Sequence, residues 1–441
     1  MRIRTTQQEL SQRDLESIIL NHEADIFHKR KLMDYYLGNH AIKSKMERSN
    51  NAPNNKLVAN YCEYITNMST GFFLGQPVAY KTETDNDTAL DALMEVFSYN
   101  DEQSHNLELA EEASIKGEAY ELLYTDEDAA IRFTSVPAEE MIIVCDASLE
   151  ERIMYAIRHY RVFSVDGTEY QDYVEVYDKK AVTRYLCNSG SLSLLEGPLP
   201  HYFDDVPVVE YPNNKEHKGD FENVMSLVDA YNKAQSLTLD DMEDFTDAFL
   251  VLSGMAGTSA EDIEKMRRSK VLLLDDGGDA QWLIKNLNDS YIENIKTRLQ
   301  NDIHKFSNIP DMADEKFAGN TSGVAIKYKL IGLEQVRSRK ERAFKKGLQR
   351  RIELISGMLK TKGGAGIDFR NVDIIFTANI PADTQSQAQI VSQLKGIVSD
   401  KTLLSLLSFV TDPNAELEEL AKQTADEGYV FDTVAEDDEK Q

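Results

Sequence analysis

The stretch DEKFAGNTSGVAIKYKL, Asp314 to Leu330, places two glycines and three short polar residues just before a pair of lysines. That composition is the one from which a phosphate-cradling loop is built. A nucleotide loop of the G-x-x-x-x-G-K-[ST] kind needs its lysine immediately after the last glycine; here Val324 follows Gly323, and no strand immediately precedes the loop. His22 and His28 are six apart rather than the four of a zinc-protease helix, so they do not share a helix face. The acidic pairs Asp240-Asp241 and Asp275-Asp276 have the chemistry for Mg²⁺, but neighbouring acids on a helix point apart and those in turns are usually solvated. Cys62, Cys145 and Cys187 are widely separated, with no C-x-x-C, and read as small core hydrophobes. There is no G-x-S-x-G elbow. Neither catalysis, a metal nor a cofactor is expected.

The elements that must position the loop come next. A chain of 441 residues with 41% apolar and 9% aromatic side chains can form two or three domains with a substantial core. Its formal charge of −28, from 48 Lys+Arg against 76 Asp+Glu, opposes gripping nucleic acid by counterion release. The start MRIRTTQQELSQRD has no apolar h-region, and apolar runs such as AFLVL and LLSLLSFV are far too short to span a bilayer. A cytosolic life, without signal peptide or membrane, is expected.

Helical spacing runs from Gln8 to Leu37, again from Leu57 to Phe73, and near Leu90 to Phe97. EAYELLYTDEDAAIRFTSV reads as two strands around an acidic turn. Between Met141 and Tyr211, five runs (MIIVC, RIMYAIRHYRVF, DYVEVYD, AVTRYLC and VPVVEY) predict an antiparallel meander, since no crossover helix fits between them. A heptad-like seam, Val224, Val228, Tyr231, Gln235, Thr238, Met242, Phe245, Phe249 and Leu252, predicts one helix from about Phe221 to Ser253. A small insertion follows, with strands at Val271–Leu274 and Gln281–Ile284. Ser290 and Glu293 then read as a capping box starting a helix that stops at Pro310. After Gly323 a helix without proline is expected to reach Lys362, carrying 12 Lys+Arg against three Glu. A strand VDIIFTANI, a helical region from Thr384 to Gln423 and the acidic, disordered tail DTVAEDDEKQ close the chain. The fold class is α+β.

Three separated segments, NAPNNKLVANYCEYITNMSTGFFLGQPVAY, NTSGVAIKYKLIGLE and IIFTANIPADTQSQAQIVSQL, resemble the portal (connector) proteins of tailed bacteriophages, specifically the siphovirus-type group. The similarity covers most of the chain in the same order. It implies a portal fold with an α/β wing, a two-helix stem, a small α/β clip, a long wing helix and a helical C-terminal crown. On this chain the wing would hold residues 1–221, the stem helices 222–253 and 290–310, and the clip 254–289. Residues 311–322 would be the tunnel loop, 323–381 the long helix and a strand returning to the wing, 382–425 the crown and 426–441 the acidic tail.

The same resemblance implies a homo-oligomeric ring of about twelve subunits at one capsid vertex. Double-stranded DNA would be packaged and ejected through it, and it would dock terminase (through its large subunit), a head-tail adaptor, scaffold and major capsid proteins. It would be a virion component assembled in the host cytoplasm. Phe317, Ala318, Gly319, Asn320, Thr321, Ser322 and Gly323 would face the DNA, their small residues giving cheap access to several backbone states. Lys327, Lys329, Arg337, Arg339 and Arg342 would lie near DNA or between subunits, the block Arg337–Arg342 offsetting the acidic charge of a neighbour. Asp240, Asp241 and Asp244 would partly face the lumen, where negative charge lets DNA slide. A nucleic-acid-processing enzyme would need clustered carboxylates or a nucleotide loop. A head or tail adaptor without a channel would not need the paired helices, insertion and long helix.

Overall fold

Ser11 starts the first long helix with a capping box: its hydroxyl accepts from the Asp14 N–H while the Asp14 carboxylate accepts from the Ser11 N–H. The computed structural model describes residues 1–47, 53–82, 88–245, 249–253, 259, 261, 264–265, 279–283, 289–312, 326, 328–379, 384–407, 409–410 and 413–430. In chain order it has β1 (Arg2–Thr5), α1 (Gln12–Tyr36), α2 (Tyr61–Leu74), β2 (Ala79–Lys81), α3 (Thr88–Tyr99) and α4 (Glu102–Lys116). Then come β3 (Glu118–Thr125), β4 (Ile131–Val136), β5 (Met141–Asp146), β6 (Ile153–Phe163), β7 (Tyr170–Tyr177), β8 (Ala181–Asn188), β9 (Ser191–Pro200) and β10 (Val208–Pro212). The remainder is α5 (Met225–Phe245), β11 (Phe249–Ser253), β12 (Asp279–Leu283), α6 (Asp289–Ser307), α7 (Ile331–Thr361), β13 (Asp373–Ile375), α8 (Thr384–Leu394), α9 (Asp400–Ser405) and α10 (Pro413–Val430). The α+β class holds. No described helix is long and apolar enough to cross a membrane.

The chain divides into two compact units, one made of residues 1–319 and 328–378, the other of 320–327 with 379–441. In the first, a six-stranded sheet has the order β1-β5-β6-β7-β8-β9, antiparallel except for the parallel β1–β5 pair. Strand β5 is buried on both faces. Met141, Ile143 and Cys145 pack into a core shared with Tyr120, Val136 and Val208, whereas Ile142 and Val144 meet Leu15 and Ile19 of α1. The run VPVVEY does not continue the meander as the sequence pattern suggests. Its strand β10 pairs with β3 in a separate sheet, β10-β3-β4, and β9 takes the outer edge of the six-stranded one. Strand β9 carries Pro198 and Pro200, which an edge tolerates because one side of its ladder needs no N–H donor.

A third core cluster is built around α7. Phe344, Leu348, Ile352, Ile355 and Met358 pack with Phe73 of α2, Leu93 and Phe97 of α3, and Tyr211 of β10. Gly347 is required there, because a Cβ would run into the Tyr211 ring. In the same unit β13 pairs with β2, which returns the chain after α7 to the N-terminal half. The second unit comprises α8, α9 and α10 among its described residues.

Three boundary expectations change. The helix expected from Phe221 to Ser253 ends at Phe245, and Phe249–Ser253 is instead a strand paired with β12 in the register Phe249↔Leu283 to Ser253↔Asp279. Helix α6 already begins at Asp289, which puts Ser290 inside the first turn rather than at the cap. The long helix starts at Ile331 after a turn at Leu330, so its 31 residues span about 46 Å at 1.5 Å per residue. The expected strand at Val271–Leu274 and the tail 432–441 lie outside the described residues.

Candidate channel elements and their anchors

Helix α5 carries Asn232, Ser236 and Asp240 at four-residue spacing, all three buried. Opposite them runs the extended segment 53–60. The N–H of Asn55 donates to Asp240 Oδ1 (2.6 Å), that of Leu57 to Ser236 Oγ (2.9 Å) and that of Ala59 to Asn232 Oδ1 (2.8 Å). The periods match: four helical residues rise about 6 Å and two extended residues about 6.6 Å, so every second N–H meets every fourth side chain. Lys45 Nζ adds an ion pair to Asp240 Oδ2 at 2.5 Å. At the other end Asn232 Nδ2 donates to His40 Nδ1 (2.8 Å), which leaves His40 Nε2 as the donor to the Tyr35 carbonyl (2.8 Å). The expectation that Asp240 faces a lumen is therefore corrected: its carboxylate is buried and fastens α5 to the N-terminal region. Asp241 is half-buried, and the Asp244 side chain lies outside the described residues.

Helices α5 and α6 pack on each other, and α2 supplies aromatic contacts at their junction. Tyr61 meets Tyr231 edge-on at 5.4 Å and His304 at 5.7 Å, while Tyr64 meets the other side of this cluster at 5.8 Å from His304. From here the chain leaves α6. His304 Nδ1 donates to the Ile309 carbonyl (3.0 Å), Gln300 Nε2 donates to Asp311 Oδ2 (3.1 Å), and the Tyr64 hydroxyl donates to the Pro310 carbonyl (3.0 Å) while accepting from the Met312 N–H (3.1 Å). On the returning side Gly332 lies so close to Asn308 that a Cβ would sit 3.2 Å from its carbonyl oxygen. Asn308 itself has φ +61°, the left-handed region that Asn tolerates better than most residues. The chain thus departs after α6 and comes back into α7 at one place. Residues 313–325, with the expected loop Phe317, Ala318, Gly319, Asn320, Thr321, Ser322 and Gly323, and Lys327 beyond it, lie outside the described residues.

The basic block of α7 separates into two populations. The two buried cations, Arg351 and Lys340, are both compensated. Arg351, fully buried, sets two nitrogens against Glu121 at 3.0 and 2.7 Å and a third against Glu102 (3.1 Å) and Asn106 (2.8 Å), with its guanidinium 4.7 Å from the Phe133 ring centre. Burial alone would push Glu121 up, but Arg351 and a 2.8 Å contact from His105 hold its carboxyl at about 2. Lys340 pairs with Asp220 and donates to Asn213, both at 2.7 Å. Arg337, expected to reach DNA or a neighbouring subunit, instead bonds Glu334 (2.6 Å) and Glu341 (2.8 Å) on its own helix. Arg339, Arg342 and Lys346 are exposed and make no ion pair among the described residues; Lys329 is half-buried.

One further cluster has metal-like composition. Ligand atoms of Glu118, Glu210 and His217 lie within 4.8 Å of one another. Lys29 already pairs with Glu118, Arg2 with Glu210, and the N-terminal amine lies 3.6 Å from Glu118, so these cations satisfy the carboxylates. His217 donates to Glu118 at 2.7 Å, and that hydrogen bond together with Lys29 pulls the buried carboxyl below the usual range against the upward push of burial. A groove of about 840 Å³ lies between α1 and strands β6 and β7, and none of the sequence-predicted site residues lines it. The three cysteines are buried and unpaired, as their spacing implies.

The sequence reading found the long helix but missed the Asn232-Ser236-Asp240 ladder and the Tyr64 anchor. Three short acceptor side chains at i, i+4 and i+8 beside an apolar seam are the signal that marks such a ladder. Comparison with known proteins then adds a second line. The chain is 25% identical over 410 residues to the portal protein of Bacillus phage SPP1, covering 88% of this chain and 80% of that protein. It is 22% identical over 432 residues to the portal protein of Clostridium phage phiCD119, covering 90% of this chain and 94% of the other. The family profile of phage portal proteins of the SPP1 Gp6-like type matches residues 15–428. A match of that extent, on a chain with anchored paired helices leading into a long helix, makes this protein a member of the SPP1 Gp6-like family of phage portal proteins, structural components of the virion capsid.

Proposed function

We propose that copies of this chain form a ring at one capsid vertex, with a central channel through which double-stranded DNA is packaged and ejected. In this reading α5 and α6 are the stem, residues 254–289 with β12 are the clip that docks terminase and the head-tail adaptor, β11 joins the stem to it by pairing with β12, and residues 311–322 are the loop that touches DNA. The second unit, with α8 to α10, corresponds to the crown. Scaffold and major capsid proteins are its assembly partners.

The observation that carries the reading is the clamp where the chain leaves α6 and re-enters α7. Tyr64, His304 and Gln300 hold the departing strand, and Asn308 sits against Gly332 on the return. Such a base gives the intervening segment a fixed origin while its Gly, Ala, Asn, Thr and Ser residues keep the backbone adaptable. That suits contact with a DNA helix whose symmetry differs from a ring's. The net charge of −28 fits a surface along which phosphates slide without being captured.

The test is DNA packaging into procapsids carrying Asn320→Ala together with Gly323→Ala. Packaging should fall at least tenfold while the ring assembles normally and enters procapsids at wild-type levels. Unchanged packaging would remove the loop from the DNA path. A channel-less adaptor would enter the particle only after packaging, so detection of the chain in empty procapsids separates the two readings.

A further inference from the structure

The outward face of α7 carries Ile331, Gln335, Arg339, Arg342 and Lys346, spaced three or four apart and all exposed, and Tyr328, three residues before Ile331, is exposed as well. This is one continuous stripe along the helix. Its apolar end, Tyr328 and Ile331, is left open to solvent, and its cationic end makes no ion pair among the described residues. The contrast with the other side of the same helix is what makes it informative. Arg337, Lys340, Arg350 and Arg351 all have carboxylate partners within 3.1 Å. In a chain with 76 acidic residues against 48 basic ones, three cations along one helix face, unpaired among the described residues, form a local patch of the minority sign.

Exposed side chains of the opposite charge occur on two packed helices of the same unit. Helix α3 exposes Asp91, Met94 and Glu95, and α4 with its preceding residue exposes Asp101, Leu107 and Glu108. None of these four acids makes an ion pair among the described residues. Each surface thus mixes apolar side chains with charge of one sign, opposite to the other's. Unlike surfaces that complement each other make a head-to-tail contact, and a head-to-tail contact repeated by rotation closes into a ring.

We infer that the Arg339/Arg342/Lys346 stripe of α7 docks on the Asp91/Glu95/Asp101/Glu108 face of α3–α4 in a neighbouring copy of this chain. The inference rests on the ring reading above and assigns its subunit contact. It favours protein over DNA because the acids that would repel phosphate are the acids this stripe needs. Exposed pairs of this kind are screened once the Debye length falls below about 10 Å, near 0.1 M salt, so the contact is salt-sensitive. They set orientation and partner choice as much as strength.

The experiment is native mass spectrometry and sedimentation of the full chain from about 0.05 to 0.5 M salt. It compares wild type, Arg339→Glu/Arg342→Glu, Asp91→Lys/Glu95→Lys, and the fourfold variant that swaps both. Thermal melts check that each variant is folded. Each double variant should weaken self-association at least tenfold at low salt, and the fourfold variant should recover most of it, which a misfolding defect would not allow. A stripe variant that associates like wild type, with the same salt dependence, would overturn the assignment. So would a fourfold variant that shows no recovery, or a stripe variant that assembles normally but loses retention on a duplex of about thirty base pairs, which would give the stripe to DNA. If the wild type itself never self-associates, the ring reading fails together with this inference; if it does and only the stripe proves irrelevant, the ring reading stands.

Discussion

Arg351 shows how a strongly acidic chain keeps cations where they cannot be replaced. Its guanidinium is fully buried between Glu121 and Glu102, and Tyr211 and His105 bind the same Glu121 carboxylate. Removing one partner from such a set strands an uncompensated charge, which costs about 3–5 kcal/mol, whereas an exposed pair such as Arg152 with Glu150 is screened by solvent and adds little. Arg351→Ala should therefore lower the urea midpoint of the first unit sharply, and Arg152→Ala should leave it within error. Equal effects would show that the buried network is not what holds α7. The same residues set an acid response. Glu121 is held at about 2 in the folded chain against about 4.3 for a free carboxyl, so its contribution is full above about pH 4.3 and is lost as pH falls toward 2. His22, buried with neither ring nitrogen hydrogen-bonded, is pushed down to about 3 chiefly by burial. Its neutral form is the folded one, so its contribution is full above about 6.5 and erodes below that. Stability should decline on acidification from about pH 6.5, and His22→Leu should reduce the slope between about pH 6.5 and 3 while leaving the Glu121 contribution in place. A wild-type curve flat across that interval would contradict the assignment.

At the scale of elements, the anchors are polar ladders rather than large apolar contacts. Asp240→Ala removes the acceptor of the Asn55 N–H and the partner of Lys45, and should cost about 1–3 kcal/mol. Hydrogen exchange should rise at Asn55, Leu57 and Ala59 while β5 keeps its protection; exchange unchanged at those three amides would mean the ladder is not formed. Tyr64→Phe should raise exchange at Met312 and leave ring formation intact. Much of this architecture was legible in the amino-acid order. The first long helix between Gln8 and Leu37, the β3–β4 hairpin around its acidic turn and the long basic helix all announce themselves through turns and periodicity. Phe249–Ser253 did not, because the apolar run FLVLS continues the helical seam and its strand state depends on a partner, β12, some thirty residues away. Asp240 was misread for a related reason. A carboxylate among acidic neighbours looks solvent-facing until the extended segment that buries it is placed beside it. Strand β9 was missed because its Gly and Pro residues read as turn signals, and only its position at a sheet edge makes them tolerable.

For the whole molecule the governing quantity is the charge of −28. In the proposed ring such chains would repel one another and repel DNA, so assembly would need local pairs of opposite sign and a channel would need none. The account therefore expects weak, salt-insensitive retention of duplex DNA by the purified protein, and self-association that falls as salt rises. Steep loss of DNA binding with salt would instead mark a cationic grip on phosphates. The most direct test of the central claim is native mass spectrometry with negative-stain imaging of the full chain, alone and co-produced with its capsid and scaffold proteins. The account predicts a closed ring of identical subunits with a central opening. A stable monomer or dimer under both conditions would contradict it.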